Sequence, residues 1–121
     1  MFRFRRRLFS TGLRFDHTPE EIAKITKESI KKFGDTIDNV VNLNSTRTFK
    51  NTIAPIAKFD YDFYKTVSNL TFYRHVSGCS ELRDASAACE KEFDEFSINT
   101  WLRKDFYDSV SKVKEAPGKE D

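Results

Sequence analysis

Apolar residues return at steps of three and four in three successive stretches of the chain, the spacing of helices with one greasy face. The first stretch carries Ile22, Ile25, Ile30, Phe33, Ile37, Val40 and Val41 and predicts a helix to about Leu43. It opens on Thr18-Pro19-Glu20-Glu21. Thr18 caps, Pro19 takes the first helical position where its missing amide costs nothing, and Glu21 closes a capping box. Gly34 lies inside this helix at a cost of about 1 kcal/mol relative to Ala, unless it admits a close helix crossing.

A polar connector, Asn42 to Thr46, precedes the second stretch, with Ser45 or Thr46 as its cap and Phe49, Ile53, Ile56, Phe59, Phe63, Val67 and Leu70 as its stripe. Pro55 falls inside this run, removes a backbone donor and disfavours helical geometry just before it. A kink or short break is therefore expected near Asn51 to Ala54.

The third and longest stretch follows the connector Arg74 to Gly78. Ser80 is its expected N-cap, with Glu81 and Asp84 placing negative charge at the positive helix end. Leu82, Ala85, Cys89, Phe93 and Phe96 form one stripe. Ile98, Leu102, Phe106, Val110 and Val113 form another, rotated by roughly 120° at 100° per residue. Either the helix breaks near Ser97 to Thr100 or it runs on and is covered from two sides; one long, bent helix is the expectation.

Composition agrees with helices throughout. Twelve Phe stand against four Gly and three Pro, too few breakers for a many-stranded fold. The fold class is all-α: an elongated antiparallel bundle of three or four long helices, each on the order of 35 to 50 Å, behind a disordered basic leader. Three helices cannot cover aromatic residues on several faces, so Trp101, Leu102 and Phe106 are expected to form a surface for another domain or chain.

The net charge of +2 conceals an asymmetry. Arg3, Arg5, Arg6 and Arg7 lie in the first twelve residues, which hold no acid, and without them 17 Lys and Arg face 19 Asp and Glu. A basic surface for nucleic acid does not survive that subtraction. Residues 1–12 instead have the make-up of a mitochondrial presequence, with Phe9-Ser10 as its processing site, and they predict residence in the matrix or intermembrane space. No run is apolar enough to predict an integral membrane segment. The folded domain is expected over 13–114, followed by a disordered tail over 115–121 that contains Pro117-Gly118.

Catalytic chemistry is not written in these residues. His17 and His75 stand 58 positions apart, and neither belongs to a His-Glu-x-x-His helix that could aim two imidazoles at one metal ion. Cys79 and Cys89, ten positions apart on one helix, would sit about 15 Å from each other, too far to bond. Cys89 reads as a small buried residue and Cys79 as a loop thiol. The carboxylates Glu90, Glu92, Asp94 and Glu95 read as a solvated helix face.

Two blocks carry a resemblance. Val76-Ser77 followed by Glu81-Leu82-Arg83-Asp84-Ala85-Ser86, with Arg103, Asp105 and Tyr107 beyond, resembles the N-terminal helical region of the thimet-oligopeptidase family of zinc metallopeptidases. Phe49-Lys50-Asn51-Thr52-Ile53-Ala54-Pro55-Ile56-Ala57 is similar to a second family segment, in which a Phe-x-Asn pair precedes Pro-[Leu/Ile]-Ala. The likeness runs from about Leu13 to Val113. It implies a helical substrate-channel wall that admits short peptides, with Phe49, Asn51, Pro55, Leu82, Arg83, Ser86, Arg103, Asp105 and Tyr107 as structural motif positions. It also implies that zinc belongs to a catalytic part outside these blocks, so that this chain has no cofactor of its own and is inactive alone. Its partners would be that catalytic domain, or another protein on the aromatic face, and short peptides. The alternative is a free-standing helical accessory subunit of a mitochondrial complex.

Overall fold

The computed structural model describes residues 14–115, and among them every regular element is helical. The leader positions Arg3, Arg5, Arg6, Arg7, Phe9 and Ser10, and residues 116–121, lie outside the described residues. Helix α1 spans Pro19–Val41, a π-helical turn Phe49–Ile53 leads into α2, Ala54–Thr71, and α3 is a single turn, Tyr73–Val76. Helix α4 spans Ser80–Trp101 and α5 spans Lys104–Glu115.

Contacts between rings fix how these helices run. Phe33 of α1 stacks on Phe63 of α2 at 4.9 Å and meets Phe96 of α4 edge-on at 5.8 Å, while Phe63 meets Phe93 edge-on at 5.0 Å. About two turns earlier, Thr26 of α1 touches Cys89 of α4. The pairs 26 with 89 and 33 with 96 keep one offset, so α1 and α4 run parallel and α2 returns antiparallel between them. Consecutive long helices therefore alternate in direction, as short connectors require. Ile22, Phe33, Ile37, Phe63, Leu70, Cys89 and Phe93 fill the core between the three. Each large apolar side chain buried there contributes about 1.5 to 3 kcal/mol.

The start of α1 follows its sequence. Thr18 Oγ1 accepts from the Glu21 amide at 3.2 Å, and Glu21 Oε2 accepts from the Thr18 amide at 2.9 Å. Its end comes two residues earlier than expected, at Val41. There the Arg47 guanidinium donates to the Val40 and Val41 carbonyls at 2.5 and 2.7 Å, which places a cation where the last turn has none. A Cβ built on Gly34 would sit 3.8 Å from the Phe96 ring, an ordinary contact. The helix crossing does not depend on a glycine there.

The cap of the second stretch is Thr48, not Ser45 or Thr46. Thr48 and Asn51 close a capping box, and Asn51 Nδ2 also donates to the Thr46 carbonyl at 2.9 Å. The break expected before Pro55 takes the form of the π-turn. Pro55 cannot donate, and the Ala54 amide reaches back five residues to the Phe49 carbonyl. Thr52 faces inward from this turn with no exposure, whereas Phe49, expected on the buried stripe, is 66% exposed. The extra residue per turn rotates Phe49 off the stripe that Phe59 and Phe63 define.

Between α2 and α3 a buried hydroxyl opens the helix. Ser86 of α4 donates to the Leu70 carbonyl at 2.7 Å and accepts from the Arg74 amide at 3.1 Å, taking the place of the bond those two groups would make in a continuous helix. The connector Arg74 to Gly78 is thus partly helical, ending where the Ser77 amide donates to the Tyr73 carbonyl.

Helix α4 is capped by Cys79 rather than Ser80, and the Cys79 side chain makes no capping bond. Instead the Cys79 amide donates to Ser77 Oγ, and Arg83 Nη1 donates to the Ser77 carbonyl at 2.8 Å. The long bent helix expected over 80–113 is two helices. The Arg103 amide bonds the Thr100 carbonyl three residues back, and a new helix starts with the Tyr107 amide on the Arg103 carbonyl. Arg103 holds the corner through Asp38 of α1 at 2.6 Å and Asp105 at 2.8 Å. The turn lets the part of the second stripe beyond it fold back, so Phe106 is 4% exposed and packs edge-on against Trp101 at 5.7 Å. A straight helix would have left that stripe in water.

The buried wedge gives a direct expectation. Ser86→Ala removes the hydroxyl that serves both Leu70 and Arg74, and stability should fall by about 1 to 3 kcal/mol. Chemical denaturation measures this. An unchanged midpoint would mean that the helix closes its own bond and needs no wedge.

Candidate functional site

Two places on the bundle, its two ends, are candidates: one brings polar groups together and the other exposes apolar side chains. At the first, the segment leading into α1 lies across α2 and α3. Asn69 Nδ2 donates to the Arg14 carbonyl at 2.8 Å, the Phe15 and Phe72 rings meet edge-on at 5.6 Å, and the His17 amide donates to Tyr73 Oη at 3.1 Å. His17 Nδ1 lies 2.7 Å from the same Oη. His17 and Tyr73 are both buried, at 8% and 4% exposure. Burial pushes the His17 imidazole below its ordinary range, and the nearby Arg14 charge adds to this.

Beside this crossing an open cleft of about 300 Å³ is lined by His17, Ile25, Asp62, Lys65, Thr66, Asn69 and Leu70. A neighbouring cleft of about 250 Å³ lies over Phe59 and Phe63, with Ser29, Lys32, Asp62 and Thr66 around it. Both follow the groove between α1 and α2.

At the opposite end are the exposed apolar side chains Ile98, Trp101 and Leu102, with exposures of 59%, 66% and 78%. Phe106, expected beside them, is buried by the corner at Arg103. The motif positions divide in the same way. Asn51, Arg83, Ser86, Arg103 and Asp105 organise turns and helix junctions through hydrogen bonds. Pro55 sits in the first turn of α2, and Leu82 packs against the core. Phe49 and Tyr107 point outward.

Metal chemistry finds no donor set in these residues. Among the described residues no group of three or more His, Cys, Asp or Glu is placed to hold a metal ion. His17 is turned to Tyr73, His75 is exposed, and both cysteines are free. Cys89 is buried with its Sγ 3.0 Å from Thr26 Oγ1, and burial pushes its thiol up to about 11, far from a thiolate nucleophile or ligand at neutral pH. Zinc therefore does not fit the residues seen here. Among the described residues, no helix is long and apolar enough to cross a membrane.

Sequence reading missed His17 with Tyr73, Arg47 with the end of α1, and the wedge made by Ser86. His17 with Tyr73 and Ser86 with Leu70 join separate elements, and Arg47 reaches back seven and six residues across a connector. The only local sign was a small polar residue, Ser86, on the apolar face of α4.

No family model matches the chain. Individual proteins do. Saccharolysin of Saccharomyces cerevisiae is 31% identical over 96 residues, which are 79% of this chain and 13% of that protein. Oligopeptidase PhomG' of Diaporthe leptostromiformis is 32% identical over 108 residues, 88% of this chain and 9% of its own length. A thimet-like oligopeptidase of Dictyostelium discoideum is 29% identical over 96 residues, 78% of this chain and 14% of that protein. The chain spans about a tenth of the length of these curated relatives. Three such relatives agree over most of this chain, and their names place that likeness in the thimet-oligopeptidase family, to a small portion of which the chain is similar.

Proposed function

We propose that this chain is the N-terminal helical part of a mitochondrial zinc metalloendopeptidase that acts on short peptides, and that it shapes access to the catalytic part without performing catalysis. The observation that carries this reading is the likeness of most of the chain to about a tenth of much longer peptidases. The chemistry agrees. Hydrolysis of this kind needs two imidazoles on one helix and a carboxylate to activate water, and no His-Glu-x-x-His occurs in the sequence. What the residues do supply is a stiff wall: three long helices locked in register by ring packing.

The exposed end supports a partner. Ile98, Trp101 and Leu102 are apolar, adjacent on the last turns of α4 and open to solvent. In a peptidase of family length the catalytic part would cover them; in a free-standing accessory subunit another protein would. A transcript that continues in frame to His-Glu-x-x-His favours the first, and a secure stop after codon 121 favours the second. The mitochondrial address rests on the acid-free, arginine-rich first twelve residues.

Three measurements follow. The purified chain, given excess zinc and quenched short peptides, should show no chelator-sensitive turnover; turnover that a chelator abolishes would overturn the wall-only role. Incubated with isolated mitochondria, it should become protease-protected and shorten by about one kilodalton, the size of the leader. Unchanged size together with cytosolic residence would remove the mitochondrial part of the reading. Finally, replacing Trp101 and Leu102 by Ser should reduce self-association in sedimentation and move the melting temperature little. Phe106→Ala, by contrast, should cost about 3 to 5 kcal/mol as a core deletion. If the double variant unfolds like Phe106→Ala, the end of α4 is core and no covering partner is needed.

A further inference from the structure

The segment 14–18 is held down at four points, and one of them can titrate. Asn69 grips the Arg14 carbonyl, Phe15 leans on Phe72, the Thr18 cap begins α1, and between them His17 meets Tyr73 through both its amide and its ring. The proton count at Tyr73 Oη decides what this joint tolerates. With Nδ1 bare, the phenol accepts from the His17 amide and donates to Nδ1 at 2.7 Å, so each polar group is served. A proton added to Nδ1 turns the ring into a second donor. The phenol must then turn its own proton to the Arg14 carbonyl, 3.4 Å away, which also accepts from Asn69 at 2.8 Å. The 2.7 Å contact then runs from Nδ1–H to the phenol oxygen, the phenol proton is left with the longer bond to Arg14, and a charge stands in a buried place.

We infer that residues 14–18 form a proton-controlled latch, closed on Tyr73 while the His17 imidazole is neutral and released when it gains a proton.

The charges around His17 come from every neighbouring element. On its own segment Arg14 opposes the imidazolium and Asp16 favours it. Glu21 of α1 favours it, while Asp62 and Lys65 of α2, opposite in sign, line the same cleft. From α3, Arg74 points away to an ion pair with Glu90 of α4. Burial is the largest influence, and it holds the closed imidazole below its ordinary value of about 6.5. The sign follows: the latch contributes stability above that ordinary value and loses it as pH falls through it toward the closed value. Opening lifts His17 from the wall of the 300 Å³ cleft and bares Tyr73 and Leu70, both under 5% exposed when closed.

Amide exchange of the full chain, followed by NMR and corrected for intrinsic rates, tests the latch. The His17 amide should open about tenfold more often per pH unit below roughly pH 6.5, levelling off at the midpoint of the His17 ring titration. The Phe93 amide in the core should show no such slope. His17→Asn, which keeps a polar group near Nδ1 but cannot titrate, should abolish the slope. A flat profile in the unaltered protein would overturn the latch, and so would a slope that survives in His17→Asn, since the His17 ring would then not be the group that takes the proton. The same slope at Phe93 would also overturn it, because the whole domain would be unfolding.

Discussion

Five phenylalanine rings from three helices meet near the middle of the bundle, and their contact sets the register of all that lies on either side. Phe33 is sandwiched with Phe59 and Phe63 from α2, and Phe93 and Phe96 of α4 close on them edge-first. Rings of this size cannot slide past one another by one helical turn without opening a void. Edge-on and offset contacts add about 0.5 to 1.5 kcal/mol each beyond the area they bury. Once the rings are seated, α1 and α4 must start at the same end and α2 must return, which brings Ser86 to the end of α2 and Arg103 to the end of α1.

The two ends then solve the same problem with different groups. A helix that stops leaves carbonyls and amides without partners, and buried ones are costly. At one end the Ser86 hydroxyl serves a carbonyl and an amide at once, with no charge. At the other, Arg47 and Arg103 reach in from connectors and neutralise helix ends and carboxylates at the surface. Asp105, gripped by Arg103, is held below the usual carboxylate range. The serine joint sits among apolar side chains and suits a buried place; the arginine joints lie where water can reach them.

The sequence was most legible where chemistry is local. The Thr18 box, the number of helices and the disturbance before Pro55 depend on residues within a turn of one another. It misled where a choice rested on distant contact. The two stripes of the 80–113 run were visible, but Arg103 at the break is held in part by Asp38, 65 positions before it. Phe49 misled for a local reason: its place on the stripe changed once a π-turn added a residue. His17 looked like a lone histidine because Tyr73 is 56 positions away. Family motif positions were legible as positions, while their work as junction builders was not.

The buried state of Cys89 has a practical side. With its sulfur packed against Thr26 and its proton tightly held, it resists alkylation, so Cys79, exposed at the start of α4, is the one thiol a maleimide would meet in the folded chain. The sole tryptophan, Trp101, closes the same helix. A single dye on Cys79 would therefore face a single indole about 33 Å away along a rigid rod, at the 1.5 Å rise per residue of an α-helix. The molecule carries its own optical ruler, with one mark at the latched end and the other at the apolar end.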